Sequence, residues 1–345
     1  MNIFKKPLIH TNGSSSSQGV SGSKSPTSQS LPLLLTISPQ EIRNKFDELN
    51  EVESNRIIEG LNNPTTSHWA LTAAISKQNK SRNRYTNVTP WNESRVKLPV
   101  KQDSYSNYIN ASYVNLSTND LKNSYIACQG PLDTTTNHFW SMSFEESEKQ
   151  GNDIIIIVMV TPLIEQGMVK CDKYWPDLGE KWDFGRKNLE DGIVYDDLTI
   201  ENINETYDQN EDYLVTEFLL KSGSKEKKVY HFYYYKWADA KVPPSSIPLQ
   251  NLSNHIKETK QLSQNAPVPI VHCSAGVGRS GTFMVYDHLF QDKNKFKEIL
   301  NDHKTKDFIY KTVYQLRTQR MMMVQTVHQF QFLYGLGKDI YNEDD

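Results

Sequence analysis

Short runs of aliphatic, aromatic and β-branched residues alternate along most of the chain with segments whose apolar residues recur at helical spacing. Such runs are typical of buried strands, and the intervening pattern is typical of amphipathic helices. A chain that alternates between the two favours one α/β domain around a mostly buried sheet. The predicted strands are Tyr108 to Val114, Tyr125 to Ala127, Ile154 to Val160, Tyr213 to Leu220, Val229 to Trp237 and Val268 to His272.

The folded part is predicted to begin with a helix just after Ser38. This serine is followed by Pro39 at the first helical position and by Glu41 three residues after the cap. Before it, residues 11–30 consist mainly of Ser, Gly, Gln and Thr, which cannot bury enough apolar area to fold. We therefore predict a disordered Ser-rich tail over residues 1–35 and a single folded domain over residues 36–341.

Two polar segments, residues 118–123 and 221–228, interrupt the strand pattern and are predicted turns. The second contains Lys225, Lys227 and Lys228, which would also suit a docking patch. We prefer a solvated hairpin tip, because polar residues between two apolar runs are typical of hairpin loops.

Net charge and apolar run lengths narrow the possible partners and location. The formal net charge is −3, so no global basic field attracts nucleic acid or an anionic membrane. The longest apolar run, Ile154 to Val160, is far shorter than the ~20 residues that a membrane helix needs. The N-terminal sequence is a poor secretory signal, and the three cysteines show no metal-ligand spacing. We predict reduced thiols and a cytoplasmic location, with the nucleus left open.

The strongest chemical signal lies around Cys273. A β-branched run ends at His272, a small glycine-bearing loop follows, and a helical pattern opens at Arg279. In a strand–loop–helix unit, successive backbone N–H groups and the helix N-terminus converge on one point, which suits an anion and lowers a thiol pKa. Arg279 can offer two parallel N–H donors to phosphate oxygens, and Ser280 can hydrogen-bond the sulfur. Without further context, Cys273 could also be a buried structural cysteine.

The string VHCSAGVGRSG, residues 271–281, resembles the HCxxGxxR[ST]G signature of protein tyrosine phosphatases. Further family-like segments occur in the expected order: NRY at 83–85, YINAS at 108–112, YIACQGP at 125–131, KCDKYWP at 170–176 and QTVHQ at 325–329. The resemblance spans residues 40–340. The chain is similar to the tyrosine-specific, non-receptor, single-domain members, including fungal ones.

This resemblance implies a single α/β domain with a highly twisted mixed β-sheet flanked by α-helices. It implies hydrolysis of phosphotyrosine in proteins through a phosphocysteine intermediate, as part of signalling. Phosphotyrosine-containing proteins are the expected partners, and no metal or organic cofactor is expected. We expect a monomer.

The resemblance also assigns roles within the signature loop. Cys273 is the expected nucleophile, Arg279 the phosphate clamp, and Ser280 the residue that helps the thiolate leave. His272 is expected to orient the loop through hydrogen bonds. The phosphate-binding residues of the loop are expected to be Ser274, Ala275, Gly276, Val277 and Gly278.

Residues outside the signature are expected to complete the site. Tyr85 matches the family's tyrosine whose ring forms a wall of a deep pocket for phosphotyrosine. Phosphoserine is too short to reach the thiolate at the bottom of such a pocket. Gln325 matches the residue that positions the hydrolytic water, and Gln329 is expected to support it. Glu165 and Lys170 match residues that pair with the signature arginine and with the closed acid loop.

Two segments compete for the general acid. Residues 175–177 spell WPD, like the family's acid loop, but they lie inside the segment that resembles KCxxYWP. The position that matches the acid loop is WAD at 237–239, which follows an aromatic strand. We therefore predict Asp239 as the acid, with Trp237 as a supporting residue and Asp177 as the alternative.

Three positions depart from the family pattern. Ala238 replaces the usual proline, so loop closure is expected to cost more entropy and turnover to be slower. Asn87 replaces an aspartate that binds the substrate backbone in many relatives, so weaker discrimination for acidic or extended peptides is expected. Met322 lies where glycine is common, and we expect it to narrow the pocket entrance.

Two other functions remain open. A pseudophosphatase would only capture phosphotyrosine partners, and Ala238 is the reason to consider it. A dual-specificity or lipid phosphatase shares the cysteine loop but lacks the NRY and QTVHQ segments. Equal rates on phosphotyrosine and phosphothreonine peptides would favour the latter.

Overall fold

The computed structural model describes residues 31–210, 212–243 and 245–343, so residues 1–30 of the tail predicted over 1–35 lie outside the described residues. From Pro32 onward the described chain forms one compact unit. Its α-helices are α1 (Leu33–Thr36), α2 (Pro39–Asn62), α3 (Thr72–Ile75), α4 (Thr136–Gln150), α5 (Gly185–Glu190), α6 (Ile247–Lys260), α7 (Gly278–Leu289), α8 (Lys293–Asp302), α9 (Phe308–Gln319) and α10 (Val327–Asn342).

The strands are β1 (Arg95–Lys97), β2 (Tyr108–Thr118), β3 (Leu121–Cys128), β4 (Ile154–Met159), β5 (Ile164–Glu165), β6 (Met168–Val169), β7 (Lys181–Asp183), β8 (Thr199–Tyr207), β9 (Leu214–Ser222), β10 (Lys225–Tyr233) and β11 (Ile270–His272). Within the described residues, nine strands form one sheet in the order β1-β2-β3-β11-β4-β10-β9-β8-β7, and β5 pairs with β6. Strand β11 runs parallel to β3 and β4, and β10 runs parallel to β4. The other pairs are antiparallel, which confirms the predicted α/β fold with a mixed sheet.

Strand β4 shows why an aliphatic run forms the centre of this sheet. Ile155, Ile157 and Met159 pack in the hydrophobic core on one face, whereas Ile156 and Val158 pack in the core on the other. Alternate side chains of a strand point to opposite faces. A run that is apolar at every position is therefore stable where both faces are covered.

The predicted helix start is correct. Ser38 Oγ accepts a hydrogen bond from the Glu41 N–H at 3.2 Å, and Glu41 Oε2 accepts one from the Ser38 N–H at 2.8 Å. This reciprocal pair is a capping box, which satisfies two N–H groups that the first turn of α2 leaves unpaired.

The predicted boundary at residue 36 is too late. Helix α1 precedes it, and Leu34 of that helix is buried in the core beside Gly337 of α10. The Ser-rich composition ends before α1, and three consecutive leucines at 33–35 supply the apolar surface that packs.

All six predicted strands are present, but several bounds differ. The structure extends the strand predicted at Tyr108 to Val114 as far as Thr118, and it ends β10 at Tyr233 rather than at Trp237. Residues after Tyr233 leave the sheet and form the loop that carries Trp237.

The predicted polar turn at 221–228 is wrong over most of its length. Strands β9 and β10 continue through it, and the turn is limited to Gly223 and Ser224. Lys227 is buried rather than solvated, with Nζ at 2.7 Å from Glu148 Oε1 and 2.5 Å from the Asn152 carbonyl oxygen. A lysine can be buried when its ammonium group is paired in this way.

Candidate active site

The carboxyl ends of four neighbouring parallel strands lie on one side of the sheet. There β3 ends at Cys128, β4 at Met159, β10 at Tyr233 and β11 at His272. Open α/β sheets bind ligands in the crevice outside these ends. The loops that follow β4, β10 and β11 carry the predicted residues Glu165, Lys170, Trp237, Asp239 and Cys273 to Gly278.

The loop after β11 folds back so that its backbone faces the sulfur of Cys273. Gly276 has a φ of 73°, and its N–H donates to Cys273 Sγ at 3.3 Å. A Cβ at this glycine would lie 1.9 Å from the carbonyl oxygen of Cys128, so no larger residue fits. Helix α7 begins at Gly278, and its N-terminus adds positive potential at the same point. These features are consistent with the predicted anion-binding loop, which stays a prediction.

The electrostatic surroundings of Cys273 favour a thiolate. Burial alone would raise the pKa of this thiol, but the charge of Arg279 and the backbone N–H groups of Ser280 and Val277 lower it below its ordinary value. The other two cysteines are also buried, and burial raises the pKa of each. Cys273 is therefore the thiol best suited to act as a nucleophile near neutral pH.

Arg279 is fully buried in the first turn of α7. Its Nη1 donates to the Trp237 carbonyl oxygen at 2.9 Å and lies 3.7 Å from Glu165 Oε2. Its Nη2 lies 3.3 Å from Asp239 Oδ1. Within the described residues, Nε and Nη2 make no hydrogen bond. Because buried donors are rarely left unpaired, these two are suited to donate together to a tetrahedral oxyanion.

Asp239 points into the same space as Arg279. Its Oδ2 accepts a hydrogen bond from Lys170 Nζ at 2.8 Å, and its backbone N–H donates to Glu165 Oε1 at 3.0 Å. Burial alone would raise the pKa of Asp239, but the hydrogen bond from Lys170 and the charges of Arg279 and Lys170 lower it. The same hydrogen bond raises the pKa of Lys170. Lys170 and Glu165, two of the predicted supporting residues, therefore both contact the loop that carries Asp239.

The alternative acid, Asp177, lies elsewhere. Its side chain is 73% exposed and pairs with Lys173 four residues earlier in the chain. It does not line the cavity that contains Cys273, whereas Asp239 does. The geometry favours Asp239.

A cavity of about 200 Å³ opens above Cys273. Its lining residues are Tyr85, Asn87, Val88, Lys170, Asp239, Cys273, Ser274, Ala275, Gly278, Arg279 and Gln325. Tyr85 Oη lies 2.8 Å from Ser274 Oγ, and that hydroxyl donates to the Lys170 carbonyl oxygen at 2.6 Å. Tyr85 is therefore the donor to Ser274, and its ring forms a fixed wall of the cavity.

The other predicted residues do not line the cavity but contact residues that do. They are His272, Gly276, Val277, Ser280, Gln329, Trp237 and Glu165. Val88 lines the cavity but was not predicted, because a single valine carries no chemical signal.

His272 connects the loop to a buried polar chain. Its Nδ1 lies 3.0 Å from the Cys273 carbonyl oxygen, and its Nε2 lies 2.7 Å from Tyr174 Oη, which is 2.7 Å from His231 Nε2. Burial lowers the pKa of His272 to about 4, so the ring is neutral at pH 7. Because a carbonyl only accepts, Nδ1 carries the proton and Nε2 accepts from Tyr174. This arrangement agrees with the predicted orienting role.

Gln325 enters the cavity from the loop before α10. Its backbone N–H and that of Thr326 donate to Gln329 Oε1 at 3.1 and 3.2 Å. Just upstream, Met322 and Val324 both have a φ of 59°. Such a conformation costs a non-glycine residue about 1–3 kcal/mol and persists only where neighbouring groups enforce it.

The expected narrowing of the entrance by Met322 is not seen. This residue does not line the cavity, and its side chain packs against both the main core and a smaller apolar cluster that contains Trp91.

Arg320 supports the signature loop from behind, a role that the sequence did not reveal. It is fully buried, with Nε donating to the Gly276 carbonyl oxygen at 2.9 Å and Nη2 to the Ala275 carbonyl oxygen at 3.1 Å. It also donates to Asn110 Oδ1 at 2.7 Å and to Ser112 Oγ at 3.2 Å. Arg320 thus binds two carbonyl groups of the loop, while the Gly276 N–H is directed to Cys273 Sγ.

In the described ranges, no group of three or more His, Cys, Asp or Glu residues is placed to bind a metal ion. None of the helices that the structure describes is long and apolar enough to cross a membrane. Independence from any cofactor stays a prediction.

Known proteins similar to this chain share its pattern over most of its length. A family model described as protein-tyrosine phosphatase matches residues 79–337. The chain is 37% identical over 322 residues to tyrosine-protein phosphatase 1 of Saccharomyces cerevisiae, covering 86% of this chain and 93% of that protein. It is 34% identical over 320 residues to tyrosine-protein phosphatase 2 of Schizosaccharomyces pombe, covering 91% of this chain and 41% of that protein. The chain therefore belongs to the protein-tyrosine phosphatase family, and the resemblance noted in the sequence is confirmed.

A solved structure from a study of PTPN18 and distinct HER2 tyrosine phosphorylation sites shares the fold. It matches with a TM-score of 0.71 and 24% identity, covering 88% of this chain and 95% of that chain. At this identity the likeness shows the fold alone. Together, the family model and the fungal relatives make this chain a protein-tyrosine phosphatase.

Proposed function

We propose that this phosphatase hydrolyses phosphotyrosine in proteins through a phosphocysteine intermediate. One observation carries the proposal. A single cavity contains the thiol of Cys273, whose pKa is lowered, and the buried guanidinium of Arg279, whose Nε and Nη2 make no hydrogen bond within the described residues. This pairing supports nucleophilic attack on a bound phosphate.

In the first step, the Cys273 thiolate attacks phosphorus and the bond from phosphorus to the phenolic oxygen breaks. Asp239 gives its proton to that oxygen, so tyrosine leaves as a neutral phenol. Arg279 and the N–H groups of the signature loop bind the other phosphate oxygens, where charge accumulates in the transition state.

In the second step, water attacks phosphorus and the sulfur–phosphorus bond breaks. Asp239, now a carboxylate, takes a proton from the water, and Gln325 orients that water. The hydroxyl of Ser280 hydrogen-bonds the departing thiolate of Cys273. Inorganic phosphate is the product, and the thiolate is regenerated.

The charges around Asp239 allow it to change roles between the two steps. Arg279 and Lys170 lower the pKa of Asp239 and favour its carboxylate form. A bound phosphate dianion offsets the charge of Arg279, which raises that pKa and favours the protonated acid. In the first step the Cys273 thiolate becomes the neutral sulfur of phosphocysteine, so one negative charge is lost from the cavity. The pKa of Asp239 then falls again, and its carboxylate can act as a base.

Selectivity for tyrosine is proposed from the depth and walls of the cavity. The ring of Tyr85 and the side chain of Val88 stand beside the path to Cys273. An aromatic substrate ring can pack against them while its phosphate reaches the sulfur. Phosphoserine and phosphothreonine place their phosphate closer to the main chain and cannot reach it.

A role in signalling and a location in the cytoplasm are also part of this proposal. All three cysteines are free, and catalysis by a thiolate requires a reducing compartment. Phosphotyrosine-containing proteins are the proposed partners, and the protein is proposed to act as a monomer.

The test is phosphate release from matched phosphotyrosine and phosphothreonine peptides without added metal. Wild type is expected to be selective for tyrosine, Cys273→Ser to be inactive, and Asp239→Ala to lose about 10²- to 10⁴-fold in kcat. Equal rates on both peptides would instead indicate a dual-specificity enzyme. Tight binding without turnover in wild type would indicate a pseudophosphatase.

A further inference from the structure

Glu53 is a buried carboxylate in the middle of α2 that lies outside the catalytic cavity. It is 5% exposed, and its Oε2 accepts a hydrogen bond from the Met322 N–H at 2.8 Å. Its Oε1 lies 3.8 Å from Nη1 of Arg317, which is also buried. A buried carboxylate is costly unless it is paired, so Glu53 depends on these two partners.

Arg317 continues the connection from α2 to the segment before Gln325. Its Nε donates to the Met323 carbonyl oxygen at 3.0 Å, and its Nη2 donates to the Val324 carbonyl oxygen at 3.0 Å. Its Nη1 donates to Asn50 Oδ1 at 2.8 Å, one turn before Glu53 on α2. Helix α2 therefore supplies two acceptors. Glu53 binds the Met322 N–H directly, and Arg317 connects both acceptors to Met323 and Val324.

The loop needs these contacts because its backbone is strained at two positions. Met322 and Val324 adopt left-handed φ values, and the β-branched side chain of Val324 makes this conformation especially unfavourable. On its other side, the Val324 N–H donates to the Val277 carbonyl oxygen of the signature loop at 3.1 Å. Gln325 follows directly, so its position over the nucleophile depends on a loop fixed from both sides.

We propose that Glu53, acting through Arg317, is a positioning residue for Gln325 in the hydrolysis of phosphocysteine. The inference rests on the proposed function, in which Gln325 orients the attacking water. Glu53 touches neither the substrate nor the reacting atoms. Its removal leaves the Met322 N–H without its acceptor and the charge of Arg317 less balanced, and the strained segment relaxes.

Loss of positioning and a general structural defect should affect different rate constants. Loss of the phenol completes the first step, and Gln325 acts only in the second. A displaced Gln325 therefore slows decay of phosphocysteine while its formation is unchanged. In the steady state, kcat and KM fall together and kcat/KM is preserved.

The experiment is rapid-quench trapping of the phosphoenzyme with a radiolabelled phosphotyrosine peptide, in the full chain. Glu53→Ala is expected to lower the decay rate constant by about 3- to 10-fold and to leave the formation rate constant within about two-fold of wild type. Glu53→Gln, which keeps an oxygen acceptor, is expected to lie between. Glu51→Gln, an exposed residue on the same helix, is the matched control and is expected to match wild type.

Asn50→Ala is a second route to the same loop if Glu53→Ala does not fold, and it is expected to slow decay in the same selective way. Gln325→Ala sets the largest effect that loss of positioning can produce. Equal decreases in formation and decay, or an unchanged decay constant in both α2 variants, would overturn the proposal. An inactive wild type would instead refute the proposed function, and Cys273→Ser verifies that the trapped species is phosphocysteine.

Discussion

Replacing Arg320 by lysine is expected to damage the signature loop although the positive charge is kept. The guanidinium of Arg320 donates to four groups that lie on different sides of it. Two of them are the carbonyl oxygens of Gly276 and Ala275 in the loop. Lysine carries a single nitrogen on a flexible stem and cannot span these acceptors.

The size of the effect follows from the acceptors that lose their donor. Arg320→Lys leaves at least two of the four buried groups unpaired, and each costs about 1–3 kcal/mol. The free energy of unfolding should therefore fall by about 2–6 kcal/mol. For a domain of this size the thermal midpoint should fall by roughly 3–9 °C.

Two measurements test this prediction. Thermal unfolding reports the stability loss, and competitive inhibition by inorganic phosphate reports the state of the loop. Phosphate is expected to bind about 10-fold more weakly, because relaxed carbonyl groups turn the loop N–H donors away from the cavity. Arg186→Lys, at a side chain that is 92% exposed, is the control. A variant of Arg320 with an unchanged midpoint and unchanged phosphate inhibition would refute the reasoning.

Three further predictions concern charged residues. Lys170 helps to lower the pKa of Asp239, so Lys170→Met should raise that pKa and keep the acid protonated to higher pH. The alkaline limb of the pH profile of kcat/KM should therefore move to higher pH. An unmoved limb would contradict the assignment of Asp239 as the acid. Asp177→Ala should keep kcat/KM on a phosphotyrosine peptide within about two-fold of wild type, because this side chain is exposed; a loss as large as that of Asp239→Ala would reverse the choice of acid. In urea unfolding, Lys227→Met should lower the free energy of unfolding by about 2 kcal/mol. Replacement of the exposed Lys225 by Met should change it by less than about 0.5 kcal/mol. Equal effects would show that the burial of Lys227 does not contribute to stability.

The signature loop could be predicted from sequence because its parts are consecutive. The β-branched run, the glycine at 276 and the opening helix specify a strand, a left-handed turn and a helix N-terminus within a few residues. Each of these choices is local, so the position of Cys273 relative to Gly276 follows directly. The capping box at Ser38 was predictable for the same reason.

Contacts between distant segments were not accessible in this way. Arg320 meets Asn110 only because α9 ends beside β2, and no local pattern distinguishes it from an exposed arginine. The burial of Lys227 depends on the position of α4, which supplies Glu148. Strand β8 was missed because its outer half is polar and exposed, so neither an apolar run nor a regular alternation marks it. Selection of Asp239 over Asp177 came from family resemblance, since both follow a tryptophan in an aromatic segment.

The grouping of catalytic loops at the carboxyl ends of the parallel strands leaves the opposite end of the sheet open to engineering. Residues 261–266, which are mostly exposed, lead into the amino end of β11. Lengthening an exposed connection adds little closure entropy, because that term grows only with the logarithm of loop length. A fluorescent reporter or a new recognition module inserted there should therefore leave turnover intact. The enzyme could then be directed to other binding partners without any change to its chemistry.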